Sequence, residues 1–402
     1  MILEEGIQNS EYRIQKANVS ELQIETDMQV LAGRLTHRGS NTDGERSAAE
    51  YIRERFAQYT PHAEIDDFYS IDNPWLLFPA YYAEFTVVSL IATWWPRIAL
   101  CYGGAVFLAY VAEFLGYEIM GRFAPHYETQ NAIARFLAAK PARLLIAMAH
   151  YDTGKKGPLE HPRIMTRLHL LHTLLVLCMA AVLLSCAVQA LGFHVDGSLR
   201  YDVVIRWSAA TILLAAAAAL FLNAAMAEYQ RGANDNASGA AALLSLAERL
   251  AQCPIEDADV VLVATGSNRT WMSGVRHFLA TQKPDRETTY IVNIDSVGDG
   301  ELCYTTAEGM LHMQSCSTEM RKAAEALAVE YGVKPYVWRA ASSDALLALA
   351  RGYKAISLTA QTPNPTPPRP DTLARVDCAV IARAADFAEA LLRRLLLHSP
   401  VA

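Results

Sequence analysis

Four stretches of the sequence are apolar for about the length of a bilayer crossing, and they come in two pairs. They cover residues 76–95, 98–117, 168–191 and 203–226. Each is close to the roughly 20 residues that cross a hydrocarbon core as a helix, the one open-chain form whose backbone groups need no outside partner in lipid. The competing reading is burial as core helices of a large domain. The first pair leaves more room for it, because Pro79, Glu84 and Glu113 interrupt those stretches. A carboxylate at mid-membrane is costly, so both glutamates are expected near the ends opposite the Trp94-Trp95-Pro96-Arg97 turn, whose tryptophans suit a water–lipid boundary. A composition that is 52% hydrophobic and 19% charged fits a chain with membrane segments.

Short connections fold each pair into a hairpin, so everything else lies on one side of the bilayer. Arg122, Lys155, Lys156, Arg163, Arg167 and Arg231 fall on that side, against Arg97, Arg200 and Arg206 toward the tips. Positive charge marks the cytoplasmic face, so the expectation is an integral membrane protein with four spans and a cytoplasmic globular part. The acidic start Met1-Ile2-Leu3-Glu4-Glu5-Gly6 has no apolar core of a signal peptide. The seven cysteines show no metal or redox spacing, as in a reducing compartment. A net charge of −7 without a basic tract excludes nucleic acid as a partner, leaving the lipid bilayer and an unidentified protein or peptide ligand.

The rest reads as one α/β domain. Residues 143–149, 259–264, 290–294 and 355–359 are short apolar runs of the kind that form buried parallel strands. A further strand is expected at 63–68. Helical patterns occupy 45–59, 240–252, 271–280, 317–331, 343–351 and 378–397, the first with Asn41, Thr42 and Asp43 as capping candidates. Alternating strands and helices predict a mostly parallel sheet covered on both faces. The expected division is 1–74 as the first part of this domain, 75–120 as the first hairpin, 121–165 as the part carrying His150, 166–228 as the second hairpin and 229–402 as the remainder. Residues 364–370 read as a proline-rich loop.

His150, Asp235 and Asp295 each lie just past, or in a turn close to, an apparent strand. In a parallel sheet those ends border the ligand crevice. One imidazole and two carboxylates make a three-ligand zinc site with a fourth position for water, and Asp152, two residues past His150, is placed to orient the imidazole. Gly232 and Gly239 suit a tight loop around Asp235. The same residues satisfied by hydrogen bonds, with no metal, is the other reading.

The strings Ala149-His150-Tyr151-Asp152, Asn234-Asp235-Asn236-Ala237-Ser238-Gly239 and Asn293-Ile294-Asp295 resemble the zinc aminopeptidases of metallopeptidase family 28, which also contains glutaminyl cyclases and inactive relatives. Arg38-Gly39-Ser40 with Ala48-Ala49-Glu50-Tyr51-Ile52 resembles the family's opening helix, and Asn131-Ala132-Ile133-Ala134 its next strand. The resemblance implies a zinc-aminopeptidase-like sheet, here interrupted by two inserted transmembrane hairpins. It also implies two zinc ions bridged by an aspartate: Asp235 would bridge, with His150 and Asp295 completing one metal. The other metal needs a glutamate and a late histidine, and the general base is the glutamate before that ligand. Aligned on Trp271-Met272-Ser273-Gly274, the base position is Ser267 and the ligand position is Asn268. The stretch before Asp371, Thr366-Pro367-Pro368-Arg369-Pro370, has no histidine.

A positioned base contributes about 10²–10⁴ in rate, and serine cannot take a proton from water near neutral pH. At most one zinc ion is therefore expected, and no residue is assigned as catalytic. The leading expectation is a membrane-anchored, aminopeptidase-like protein that binds a ligand or partner without ordinary peptidase activity. The alternative is an active single-zinc hydrolase or acyl-transfer enzyme using His150, Asp235 and Asp295. A transporter is a third class, with no charged pathway in the spans to support it. Asp299, Glu301, Glu308 and His312 read as ordinary loop and surface residues, Asp344 as a helix cap, His169 and His172 as an interfacial polar pair, and Lys155 and Lys156 as headgroup contacts or a topology signal.

Overall fold

The computed structural model describes residues 21–72, 76–114, 117–161, 164, 167–193, 200–309, 312–339, 343–362 and 370–397. The start of the chain and nearly all of the proline-rich loop at 364–370 lie outside the described residues. In chain order the main elements are α1 (Asp43–Ala57), β1 (Ala63–Ile71), α2 (Leu77–Ile91), α3 (Pro96–Phe114), β2 (His126–Phe136), β3 (Arg143–His150) and the two-residue β4 (Lys155–Lys156). Then come α4 (Leu168–Ala190), α5 (Tyr201–Met226), β5 (Glu228–Tyr229), α6 (Ser238–Gln252), β6 (Ala258–Thr265), α7 (Ser273–Gln282), β7 (Thr289–Ile294) and β8 (Glu301–Glu308). The chain ends with β9 (Gln314–Ser315), α8 (Thr318–Tyr331), β10 (Lys334–Trp338), α9 (Asp344–Ala350), β11 (Lys354–Gln361) and α10 (Cys378–Leu397).

The main sheet runs β1-β2-β6-β3-β7-β11-β8-β10, with β9 on β8. Its centre, β6-β3-β7-β11, is parallel. β1 and β2 extend it antiparallel on one side, and β8 joins β11 antiparallel on the other. The central strands are apolar on both faces because helices cover both. Leu145 to Ala149, Val260 to Ala264 and Ile291, Val292 and Ile294 are all buried. α1 is capped by Thr42, whose side chain accepts from the Glu45 amide, and turns Ala48, Ala49, Ile52 and Phe56 inward. α10 buries Ile381, Ala384, Ala388, Leu391 and Leu395, a helical stripe against the same core. The result is the α/β architecture read from the sequence.

Helices α2 to α5 pack together around a second apolar core that includes Tyr81, Phe85, Val88, Met179, Val182, Ala210 and Leu213. Their outer faces leave Leu170, Leu174, Leu177, Leu184, Ile212, Phe221 and Leu222 exposed. Two of them, α4 with 23 residues and α5 with 26, are long and apolar enough to cross a membrane. α2 has only 15 residues; at 1.5 Å per residue it rises about 22 Å, short of a hydrocarbon core of about 30 Å. Glu84 also departs from its expected place. It lies in the middle of α2, where the Tyr102 hydroxyl donates to it at 2.5 Å. Glu113 does sit at the domain end of α3, accepting from Tyr81 and from the amides of Ile119 and Met120. The bundle meets the α/β domain there, where Trp271 Nε1 donates to the Glu113 carbonyl at 2.6 Å and its ring lies 5.0 Å from Phe78.

Other expectations need correction. α7 begins at Ser273 rather than Trp271, because Trp271 and Met272 have φ of 67° and 57°, a left-handed backbone that no helix continues through. Residues 301–308 form strand β8 rather than loop, and Glu308 is fully buried, accepting from Thr305 at 2.6 Å and from Ser343. Asp344 is not the cap of α9; Ser343 is, accepting from the Leu346 amide. His172 is buried in the bundle against Tyr110 rather than paired with His169. Lys155 places its ammonium 4.6 Å above the Tyr229 ring.

Candidate metal centre

The carboxyl ends of the parallel strands gather the polar residues. His150 ends β3, directly opposite Thr265 at the end of β6, and Asp295 follows β7. Asp235 arrives from the loop between α5 and α6. Asn236 bolts these pieces together. Its amide donates to the carbonyls of His150 and Ile294 at 3.0 Å each, and its Oδ1 accepts from the amides of Gly239 and Ser296. Gly239 is required here, since a Cβ would lie 2.3 Å from Asn236 Oδ1 and 2.4 Å from the Ile294 carbonyl. On the outer side, Asp371 accepts from the amides of Asn234 and Asp235. Arg38, fully buried, donates to the carbonyls of Leu31, Tyr151, Arg231 and Gly232.

His150 Nε2 lies 3.4 Å from Asp235 Oδ1 and 3.8 Å from Asp295 Oδ2, and its Nδ1 lies 3.2 Å from Asp152 Oδ1. One ligand atom from each of His150, Asp235 and Asp295 falls within 4.8 Å of the other two. Tetrahedral zinc with bonds of about 2.0–2.2 Å holds its ligand atoms about 3.3–3.6 Å apart, so the set fits one ion with little movement. His150 Nδ1 is held by the Asp152 backbone carbonyl at 3.2 Å, and the Asp152 carboxylate stands behind the imidazole. It also accepts from Ser40 Oγ at 2.7 Å and from the Arg269 amide at 2.9 Å.

Charge supports the same fit. Burial disfavours an imidazolium at His150, but Asp152, Asp235 and Asp295 outweigh it and push its pKa well above the usual range. Three carboxylates then gather around one imidazole, with the guanidinium of Arg269 beside them and the buried Arg38 behind, and a divalent ion in place of the imidazole proton adds one more positive charge to this acidic cluster.

Arg269 is the residue that sequence reasoning missed. Its guanidinium pairs with Asp235 Oδ1, the oxygen that also faces His150. Burial opposes a low pKa at Asp235, yet Arg269 and His150 hold it well below the carboxylate range. The signal was in the string Gly266-Ser267-Asn268-Arg269, which places a cation one residue past the degenerate ligand position.

Ser267 does not face the centre. Its hydroxyl contacts Thr129 at 2.8 Å, Glu45 Oε1 at 3.2 Å and Asn41 at 3.2 Å, and its amide donates to Glu45 at 2.7 Å. Asn268 turns its amide to Asp344 at 2.8 Å. Burial raises Asp344 to about 6, with Thr265 and Asn268 donating to it. Glu45, where the sequence places the start of the helix at 45–59, is buried behind Ser267; burial and the charge of Asp152 raise it from 4.5 to about 8.

The Glu45 shift has a measurable consequence. A carboxyl group that holds its proton more tightly when folded contributes stability below its unfolded pKa. That contribution fades as pH rises through about 8. Glu45→Gln is therefore expected to flatten the fall in Tm between pH 5 and 8.5, whatever its absolute Tm. An unchanged slope in a thermal-melt series would show that Glu45 does not titrate in this window.

Residues 213–392 match the model of peptidase family M28. The matched stretch contains Asp235 and Asp295, and His150 precedes it. The fold is shared with BSAP, a zinc aminopeptidase from Bacillus subtilis, at a TM-score of 0.54 and 12% identity, over 92% of this chain and 94% of that one. An aminopeptidase from Aneurinibacillus sp. strain AM-1 gives 0.53 at 15% identity, covering 92% of each chain. An Acidobacteriales bacterium glutaminyl cyclase gives 0.52 at 14%, covering 94% of each. No curated protein matches the sequence.

Proposed function

We propose that this chain, which carries the fold of peptidase family M28, is a membrane-anchored relative of the zinc aminopeptidases that holds at most one zinc ion and has no ordinary peptidase activity. It acts instead by binding a ligand or partner. The observation that carries this reading is the pairing of Arg269 with Asp235 while Ser267 points away into Glu45 and Thr129. A bridging aspartate serves two cations, and here a guanidinium is already one of them. His150, Asp235 and Asp295 would hold the ion, which would supply Lewis acidity toward a carbonyl or water. Asp152 fixes the imidazole, Arg269 neutralises Asp235, and no carboxylate stands at position 267 to accept a proton from water.

Anchoring through α4 and α5, with α2 and α3 packed against them as the shorter pair of four proposed spans and the globular part in the cytoplasm, completes the proposal. The outward leucines of α4 and α5, the shared packing of α2 and α3 with them, and the basic residues on the domain side support it.

The test is metal content by mass spectrometry on detergent-purified protein, wild type beside Asp235→Ala, with an aminoacyl-anilide assay on the same samples. The expected result is about one zinc per chain, as a three-ligand site holds, lost in the variant, and no zinc-dependent turnover. Two ions per chain, or hydrolysis that vanishes in His150→Ala, would overturn the reading. Asp344 favours an active single-zinc hydrolase or acyl-transfer enzyme as the second reading. Its carboxyl, raised to about 6 and bonded to Asn268, is an acid of suitable strength beside the centre. Turnover abolished by Asp344→Asn would select it.

A further inference from the structure

Where α7 and α9 end and β7 and β11 begin, at the amino ends of these strands rather than the carboxyl ends that carry the metal centre, a cavity of about 300 Å³ is lined by Leu279, Lys283, Pro284, Arg286, Arg351 and Tyr353. Three of these six are cations and none is an acid. Arg286 lies 5.6 Å above the ring of Tyr353, two residues after Arg351, and both arginines line the cavity. The Tyr353 hydroxyl donates to the Pro284 carbonyl at 3.1 Å, which fixes the floor of the cavity. Of the two acids that flank Arg286, Asp285 is spent on its own turn, accepting from the Glu287 amide and Thr288, and the Glu287 side chain does not line the cavity. Among the described residues, neither Lys283 nor Arg286 makes an ion pair with a carboxylate.

Lys283 and Arg351 follow helix ends, where a cation complements the helix dipole. That does not account for Arg286, which belongs to no helix and converges on the same space. Like charges brought together repel, and an anion between them removes that cost. We propose that this cavity binds a phosphate-bearing group. Arginine and lysine together suit that chemistry, the one with a planar fork and the other as a point charge.

The place of the cavity points to a source. Arg351 sits 5.7 Å over the ring of Tyr117, three residues beyond the end of α3, and Tyr117 is exposed. Arg276 pairs with the neighbouring Glu118 at 3.4 Å. Arg351 therefore reaches the segment that leaves the apolar bundle, so a lipid headgroup is one source of such a phosphate. Basic pockets at a membrane boundary bind anionic headgroups.

The experiment uses detergent-purified full-length chain, titrated calorimetrically with dioctanoyl phosphatidic acid, dioctanoyl phosphatidylcholine and inorganic phosphate. Wild type is compared with Lys283→Gln/Arg286→Gln, both surface positions, with the unliganded Tm as a folding control. Arg286→Gln alone serves if the double variant does not fold. The expected result is binding of phosphatidic acid in preference to phosphatidylcholine, weakened about tenfold for each cation removed. Binding of inorganic phosphate that is lost in the same variant would also support the site, with a soluble phosphate compound as its ligand. No binding of either, or equal binding by wild type and variant, would overturn the proposal.

Discussion

Arg38→Ala is expected to destabilise the protein by more than about 4 kcal/mol, the largest effect of any single substitution considered for this chain. The side chain is fully buried and four of its N–H groups reach four carbonyls on three separate pieces of chain. Leu31 belongs to the helical segment before α1, Tyr151 follows His150, and Arg231 and Gly232 lead into Asp235. Charge-assisted bonds of this kind contribute about 1.5–3 kcal/mol each, and alanine would leave the carbonyls facing one another in a sealed space. Burial lowers the guanidinium only to about 10, so it stays charged at neutral pH. Arg38→Lys should recover little, because one ammonium cannot reproduce a planar fork aimed at four acceptors. Thermal melts and zinc content of both variants check this. Since Arg38 ties the His150 strand end to the Asp235 loop, metal should be lost with stability. A lysine variant that melts within a few degrees of wild type and keeps its zinc would show that the clamp is not what holds these loops.

The parallel centre of the sheet was legible because strands buried on both faces are written as unbroken apolar runs, as in Leu144-Leu145-Ile146-Ala147-Met148. The outer strands were not. β8 mixes Tyr304, Thr305, Thr306 and Glu308, and its burial depends on partners distant in sequence: β11 beside it and Ser343 against Glu308. β10 starts with Lys334-Pro335 and is mostly exposed, so its pattern reads as loop. His150, Asp235 and Asp295 could be grouped because each is fixed to a strand end or a glycine-bounded loop, and the parallel order of β3 and β7 makes their meeting a matter of topology. Arg269, Ser267 and Glu45 were beyond that logic. Their directions depend on a loop in which Ser267, Trp271 and Met272 all take positive φ, and on Trp271 being anchored against the bundle at Glu113 and Phe78. Periodicity carries no trace of such a path. Ser267 and Asn268, the two positions that lack the expected glutamates, lie on this loop, and its Trp271 packs against the helical bundle.

Arg269→Ala is expected to make the centre depend on zinc. Without the guanidinium, Asp152, Asp235 and Asp295 are left with the imidazolium and the buried Arg38 behind them, and repulsion among them loosens the crevice. The Arg269 and Asp235 side chains are 30% and 45% exposed, so solvent screens the loss. The cost should be about 1–3 kcal/mol rather than the larger penalty of breaking a sealed pair. Removing a neighbouring positive charge also strengthens attraction for a divalent ion. Saturating zinc should therefore raise the Tm of the variant more than that of wild type, and a chelator should widen the gap between them. Stoichiometry should stay at about one ion, because Asn268 remains a weak neutral donor and no histidine follows in the region that would complete a second set. A variant that melts like wild type and responds to zinc no differently would remove Arg269 as the resident cation, and would leave the missing glutamate and histidine as the reason for confining this crevice to a single ion.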